Sequence, residues 1–325
     1  MVYHRCCTMV LYDPCFSFLR TAGERAVGAF NKERLTSHRV SQARTEKMPL
    51  ETCEIVLSGG DDSPLEVSSG TALIINSVHF MRGLELQDRE GSQKDEQIMT
   101  RILGKIGFEV DLLLDKTSDD IMKALQEVAE NRKNAEAFVC VILSHGWHGH
   151  FVCYDGTKVY YKDIYSLFNN KAWEHKLKLF IIQACRGGSS DSGAELEEGG
   201  DREPTQEAGN TDDASSSVDE ACILKDDLFA PPETLTIYST PEGYVSYRPN
   251  LSSCQFIEAV ALELMRAWEK RVELVQSLTR VSHHIARGFQ SNSKDKQYNG
   301  KKQMPCLVSH LTRDVYLVQR QGYTQ

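Results

Sequence analysis

The chain has 325 residues, a hydrophobic fraction of 41% and a net charge of −9 at pH 7. Its length allows one large or two ordinary domains, with enough apolar residues for a sizeable core. The acidic balance argues against a general nucleic-acid binder, and no apolar run is long enough to predict a membrane span. We therefore expect neither a nucleic-acid nor a membrane partner. Ten cysteines without disulfide-like spacing indicate a reducing, cytoplasmic protein.

Residues 1–62 differ in composition from the rest of the chain. They are modestly basic, rich in Arg and Ser, and lack a long helical periodicity. We predict a short disordered leader that is removed. A mitochondrial presequence and lipidation at Cys6 or Cys7 are the alternatives that this composition leaves open.

Strands and helices alternate through the next part of the chain. Continuous apolar runs predict buried strands, and apolar stripes at helical spacing predict helices. In chain order we predict a strand over 71–76, a helix over 91–105, a strand over 108–114, a helix from 117, a strand over 138–143, a hairpin with strands over 151–154 and 158–161, a helix over 162–168 and a strand that begins at 179. This alternation is typical of a mainly parallel sheet with helices on both faces.

The composition changes abruptly between Gly187 and Ala230, where thirteen Asp and Glu residues stand against two Lys and Arg. Such a segment cannot bury enough surface to order itself. A loop of this length inside a compact domain is best explained as a linker that is made to be cut. After it we predict a strand over 234–240, a loop over 243–250, a helix capped by Ser252 or Ser253, a helix over 269–289 and a closing strand over 315–319.

Two of the predicted strands end in reactive side chains. One continues into Gln183, Ala184 and Cys185, and the strand before it is followed by His145 and Gly146. A lone cysteine at a strand end is more often a small core residue than a nucleophile. Neighbouring parallel strands, however, bring their carboxyl ends to one edge. An imidazole near a thiol there favours the reactive thiolate.

These two motifs resemble those of the caspase family. Gln183-Ala-Cys-Arg-Gly187 fits the family's cysteine signature and Ser144-His-Gly146 fits its histidine motif. The resemblance spans roughly residues 71–319. It implies an α/β fold, a three-layer α/β/α sandwich with a central, mostly parallel six-stranded sheet. It also implies a cofactor-free cysteine endopeptidase of apoptosis that cleaves proteins after Asp, closest to the executioner-type caspases with short prodomains.

The resemblance assigns the catalytic roles. Cys185 is expected to be the nucleophile and His145 the general acid and base. The amides of Cys185 and Gly146 are expected to form the oxyanion hole. A backbone carbonyl orients the histidine in this family, and its counterpart here is Gln87.

The resemblance also implies a pocket for the Asp before the scissile bond. Arg89, Gln183 and Arg248 match the two arginines and the glutamine that bind this side chain, and Ser246, Tyr247 and Ser144 are expected nearby. The planar fork of Arg suits a carboxylate, and buried unpaired charges reject a neutral side chain. A single arginine is more often a solvated surface charge, so the assignment depends on the three motifs together.

The chain departs from the family pattern near this site. Trp147 and His148 stand where acidic residues are usual, so the tryptophan is expected to narrow access or to shape the leaving-group side. Tyr247 replaces a tryptophan, and Pro249 follows the second arginine where Asn is common. Gln255 aligns with a further tryptophan that binds the fourth residue before the cut, and this preference is therefore open.

A cluster of His145, His148, His150 and Cys153 invites a zinc interpretation. Its spacing matches no common structural site and no paired cysteines support it. We predict no metal.

Activation is expected to follow from the enzyme's own specificity. Asp62, Asp191, Asp213 and Asp219 are the candidate processing sites, with Asp213 cut first. The resulting parts are a leader over 1–62, a large subunit over 63–191, a linker over 192–219 and a small subunit over 220–325. Relatives form homodimers of such subunit pairs through the final strand, which predicts that role for 315–319.

Three functions remain open at this point. The first is an active Asp-specific protease with protein substrates that carry an exposed Asp-containing loop, and with an upstream activating protease or an inhibitor protein as partners. The second is a catalytically silent caspase homologue that binds and regulates an active caspase. The third, cleavage after Lys or Arg, needs an acidic pocket that the matched positions lack.

Overall fold

The structure, a computed structural model, describes residues 63–193, 229–248 and 252–320. The predicted leader, most of the acidic linker and Pro249 lie outside these residues. In chain order the elements are β1 (Leu65–Val67), β2 (Gly70–Asn76), α1 (Ser92–Ile106), β3 (Phe108–Leu114), α2 (Ser118–Asn131), β4 (Ala137–Leu143), β5 (Gly146–Trp147), β6 (His150–Val152), β7 (Lys158–Tyr160), α3 (Tyr161–Leu167), β8 (Leu177–Gln183), β9 (Thr234–Tyr238), α4 (Gln255–Lys270), α5 (Leu274–Gly288), a 3-10 turn (Lys296–Tyr298), β10 (Cys306–Ser309) and β11 (Val315–Leu317).

A six-stranded sheet forms the centre of the molecule, with strand order β10-β9-β8-β4-β2-β3. Five strands run parallel, and β10 is antiparallel to β9 at one edge. The predicted six-stranded, mostly parallel sheet is confirmed.

Alternate side chains of the sheet enter two separate cores. Along β8, Leu179 and Ile181 pack on the face covered by α1, α4 and α5. Phe180 and Ile182 pack on the other face, under α2, α3 and the small β5-β6-β7 sheet. Full burial of one such apolar side chain contributes about 1.5–3 kcal/mol. Because both faces are covered, β4 is apolar at every position and β8 is apolar except at Lys178 and Gln183, as in a parallel sheet.

The predicted closing strand is present over Val315–Leu317, but it lies outside the central sheet. Residues Val315–Leu317 do not join the central sheet but pair in parallel with Leu65–Val67 in a separate two-stranded sheet. Val315 and Leu317 are buried in the core beside α4 and α5. Their apolar character is therefore explained by this burial and not by a place in the central sheet. The sixth central strand is Cys306–Ser309, which the sequence analysis missed. Its residues are only half-buried, and its apolar pattern is correspondingly weak.

The predicted start of the fourth helix is wrong. Cys254 occupies the N-cap of α4, and its amide donates to the Oδ1 atom of Asp95 at 2.6 Å. The Ser253 hydroxyl bonds to the carboxylate of Glu258 rather than to the helix backbone. The next helix begins later than predicted, because the carboxylate of Glu273 caps it by accepting two amides at 3.0 and 2.7 Å. No helix in the described ranges has the length and apolar character needed to cross a bilayer.

Candidate functional site

The ends of β4 and β8 bring the predicted dyad together. Leu143 pairs with Gln183, and the next amide, that of Ser144, donates to the Gln183 carbonyl at 3.2 Å. His145 and Cys185 each follow two residues after this pair. A Cβ added to Gly146 would lie 2.8 Å from the carbonyl oxygen of Cys185. The two strand ends are therefore in contact, and only glycine fits at this crossing.

The ring of His145 is held from both sides. Its Nε2 bonds to the carbonyl oxygen of Gln87 at 2.7 Å, as predicted, and Phe80 packs on it with a centroid distance of 5.0 Å. A carbonyl oxygen only accepts, so Nε2 carries the proton and Nδ1 keeps the lone pair in the neutral ring. Burial lowers the pKa of His145 against the opposing Gln87 bond, and the charges of Arg89 and Arg248 lower it further.

Cys185 sits in a half-buried position with one amide aimed at its sulfur. The N–H of Ser246 donates to Sγ at 3.3 Å. Burial raises the pKa of the Cys185 thiol, while that amide and the charge of Arg89 oppose the rise. The lowered pKa of His145 and the raised pKa of Cys185 both favour the neutral forms, an imidazole and a thiol.

Two arginines lie next to this pair. Arg89 is 4% exposed and its Nη1 donates to the carbonyl of Ser77 and the hydroxyl of Ser92 at 3.0 and 3.1 Å. Burial and the nearby charge of Arg248 lower its pKa to about 10. Arg248 donates from Nη1 to the carbonyl of Glu90 at 2.7 Å, and burial lowers its pKa as well. The structure thus gathers two fixed guanidinium groups beside the candidate nucleophile.

Gln183 is linked to the thiol through Ser246, whose amide donates to the Cys185 sulfur. The Nε2 of Gln183 donates to the Ser246 hydroxyl at 2.9 Å, and that hydroxyl meets the hydroxyl of Ser239 at 2.7 Å. Tyr247 follows, with its amide donating to Gln303 at 2.8 Å and its ring 5.7 Å from that of Phe289. Within the described residues, the buried Oε1 of Gln183 has no hydrogen-bond partner.

Asp95 is a buried carboxylate behind the arginines that the sequence analysis missed. It lies in the first turn of α1 and is fully buried. Its Oδ1 accepts the Cys254 amide, and its Oδ2 has no hydrogen-bond partner in the described ranges. Burial raises its pKa to about 6, although that amide and both arginines oppose the rise. The sequence indicated only that Asp95 lies at the start of a helix, six residues after Arg89, and not that it is buried.

A second missed group surrounds the residue after Cys185. Arg186 is buried and stacks on the ring of Tyr238 at 3.8 Å, and its Nη2 lies 2.5 Å from the Oε2 of Glu242. The Oε1 of Glu242 meets the Nδ1 of His148 at 2.6 Å. We call Arg186, Glu242 and His148 the ionic chain. It joins three segments that are distant in sequence, which no local pattern reveals.

The loop after the nucleophile is interlocked with the loop after β9. The Arg186 amide donates to the Tyr244 carbonyl at 3.0 Å and its own carbonyl accepts the Gly243 amide at 2.8 Å. A Cβ on Gly187, whose φ is +155°, would lie 2.3 Å from the backbone of Gly243. Glycine at 187 is therefore required for this close approach.

The three histidines of the possible zinc cluster each use a ring nitrogen in a hydrogen bond within the protein. His150 bonds through Nδ1 to the carbonyl of His148 at 2.8 Å, while His148 and His145 bond to Glu242 and Gln87. Within residues 63–193, 229–248 and 252–320, no three His, Cys, Asp or Glu residues gather as a metal-ligand set.

Comparison with known proteins decides the family. A model of the Caspase domain family matches residues 69–316. The chain is 33% identical over 251 residues to caspase-7 of Gallus gallus, covering 76% of each chain. It is 32% identical over 251 residues to caspase-3 of Mus musculus, covering 76% of this chain and 83% of that one.

The chain belongs to the caspase family. The crystal structure of caspase-1 from Spodoptera frugiperda also matches it, with a TM-score of 0.66 and 26% identity over 82% of this chain and 97% of that one. The predicted caspase-like α/β fold is thereby confirmed. Family membership places the chain among caspase-like cysteine proteases of apoptosis.

Proposed function

We propose that this caspase is an active cysteine endopeptidase that cleaves after Asp. The observation that carries the proposal is the convergence of Arg89 and Arg248 beside Cys185 and His145. Both guanidinium groups are partly or fully removed from water, and both lower the pKa of His145. The carboxylate of a substrate Asp would neutralise this charge with two-pronged hydrogen bonds.

Gln183 fits the same pocket as a third donor. A half turn of its amide would let Oε1 accept from the Ser246 hydroxyl and would place Nε2 where the unpartnered oxygen now lies. The two amide orientations differ only in their hydrogen bonds. A bound carboxylate would select the orientation that presents the donor.

The chemistry proceeds from the neutral dyad. The lone pair on Nδ1 of His145 takes the thiol proton while Sγ of Cys185 attacks the scissile carbonyl carbon. The amides of Cys185 and Gly146 stabilise the oxyanion. His145 then gives the proton to the leaving amine, and water hydrolyses the remaining thioester with His145 again acting as base.

The zymogen features are part of this proposal. Leader removal after Asp62 and linker cleavage, first at Asp213, involve residues outside the described ranges, as does Asp219, which the following Glu220 makes a less favourable site. At Asp191, the backbone carbonyl accepts the Lys302 amide at 2.9 Å in an antiparallel bridge. A protease needs an extended free strand, so this bridge favours Asp213 over Asp191 as the first cut.

Subunit pairs would associate through a different strand from the predicted one. The central sheet ends at β10, so its edge, rather than Val315–Leu317, is the strand available for pairing with a second copy. The described cysteines, Cys140, Cys153, Cys185, Cys254 and Cys306, are free thiols, which supports a reducing compartment such as the cytoplasm.

Peptide hydrolysis tests the proposal. After linker cleavage, we expect peptides with Asp before the cut to exceed matched Asn peptides by about a thousandfold or more in kcat/KM, because buried arginines reject a neutral amide. Arg248→Lys keeps the positive charge but loses the two-pronged guanidinium. It should lower kcat/KM for the Asp peptides by about tenfold or more. The exposed Arg101→Lys and the inactive Cys185→Ala serve as controls. Absence of turnover on every Asp peptide would instead favour the silent homologue that regulates an active caspase.

A further inference from the structure

Trp147 is a large apolar side chain that remains 48% exposed beside the nucleophile. It follows Gly146 in β5, the short strand that begins directly after His145. Its ring carbon Cη2 would lie 3.2 Å from a Cβ added to Gly188. The indole therefore packs against the glycine that lies three residues after Cys185, and the missing side chain at 188 makes room for it.

The indole is held by the ionic chain. It makes an edge contact with the ring of His148, at a centroid distance of 5.4 Å and an angle of 85°. His148 is bonded through Glu242 to Arg186, which is buried against Tyr238. The backbone that carries Trp147 is thus tied to the residue next to Cys185. A side chain fixed in this way loses little conformational entropy when a ligand packs on it.

The position of Trp147 is distinct from the Asp pocket. Gln183 precedes the nucleophile and bonds to Ser246, whose amide donates to the Cys185 sulfur. Trp147 contacts the segment that follows the nucleophile. It also belongs to the strand that begins just after His145, the group that gives its proton to the leaving amine. Its neighbours Gly188 and His148 follow the nucleophile and the general base in the chain, and this placement is the ground for assigning the indole to the leaving-group side of the scissile bond.

We propose that Trp147 is a specificity-determining residue that binds the side chain immediately after the scissile Asp, and that this side chain is apolar in preferred substrates. The inference rests on the proposed cleavage after Asp. An apolar side chain that covers the open indole face removes both surfaces from water. A charged side chain that covers the indole loses hydration there. The acidic residues usual at this position in the family offer no such surface.

A set of internally quenched peptides tests this inference on the full chain after linker cleavage. The peptides share one sequence with Asp before the cut and differ only in the next residue, which is Gly, Leu, Phe, Glu or Lys. We expect kcat/KM for the Leu and Phe peptides to exceed that for Gly by about five- to tenfold, and the charged Glu and Lys peptides to be the poorest.

Variants of Trp147 then assign the preference to the indole. Trp147→Phe should retain most of the Leu-to-Gly ratio, whereas Trp147→Ala and Trp147→Glu should reduce this ratio to about one, because the apolar surface is lost. Tyr160→Ala removes another exposed aromatic ring of the same small sheet. It should leave the ratio unchanged.

Two results would overturn the inference alone. One is a Leu-to-Gly ratio in Trp147→Ala equal to that of the parent. The other is a parent that prefers Gly and a Trp147→Ala variant that gains on Leu and Phe, which would make the indole a barrier. Failure to cut any of the Asp peptides would overturn the proposed function and the inference with it.

Discussion

At the scale of single residues, burial sets the charge of the candidate site. Arg89 and Arg248 face one carboxylate, Asp95, whose own pKa is raised to about 6 by burial. Near neutral pH the negative charge of ionised Asp95 offsets part of the positive charge of Arg89 and Arg248. The site therefore carries an excess of positive charge, which suits an anionic side chain from a substrate.

Replacing Asp95 by Asn tests this buried carboxylate. Its pKa is about 6 when folded against an ordinary 3.8. Below 3.8 both states are protonated, and as the pH rises through 6 the folded state must ionise a buried group. The unfolding free energy of Asp95→Asn minus that of the parent should therefore increase by about 2.4 kcal/mol between pH 4 and pH 7.

Urea unfolding at several pH values measures this difference, in a Cys185→Ala background that prevents self-cleavage. The exposed Asp119→Asn is the control. A difference for Asp95→Asn that stays constant with pH would contradict the raised pKa.

At the scale of elements, one buried acid joins the two helices that cover a sheet face. Glu263 of α4 has a fully buried side chain. Its Oε1 lies 3.0 Å from the Nε2 of His284 in α5 and 3.8 Å from Arg266, and its Oε2 lies 3.9 Å from Arg280. These contacts place several basic groups around one desolvated carboxylate, so that α4 and α5 are tied by charge as well as by apolar packing.

We expect Glu263→Ala to lower the unfolding free energy by about 1.5 kcal/mol, because it removes the hydrogen bond to His284 while the basic partners, which are 33–44% exposed, stay hydrated. Glu269→Ala removes an acid from the same helix whose pair with Lys105 is exposed on both sides. This control should change stability by about 0.5 kcal/mol or less. Urea unfolding of the two variants measures both decreases in unfolding free energy. Equal decreases would show that the buried cluster stabilises the protein no more than an exposed ion pair does.

At the scale of the whole molecule, the sheet joins the two parts that flank the acidic linker. β8 precedes the linker and β9 follows it, yet they pair in parallel from Lys178 with Thr234 to Ile182 with Tyr238. α4 and α5 share one core with α1 and the earlier strands. The linker is thus not what holds the parts together.

We predict that cleavage at Asp213 leaves the two fragments associated. Burial of β9 between β8 and β10 makes separation equivalent to unfolding. Size-exclusion chromatography of the cleaved Cys185→Ala protein should show both fragments in one peak, and two peaks in strong denaturant. A small fragment that elutes alone in native buffer would refute this prediction.

The sequence by itself determined the parallel sheet and the neighbouring strand ends that carry Cys185 and His145. Those inferences need only local signals, since apolar runs mark buried strands and parallel strands end at a common edge. Tertiary structure alone decided the sixth strand, the buried Asp95 and the ionic chain of Arg186, Glu242 and His148. Each of these features depends on partners that are distant in sequence. Burial determines their charges and contacts, and the local sequence pattern does not reveal burial.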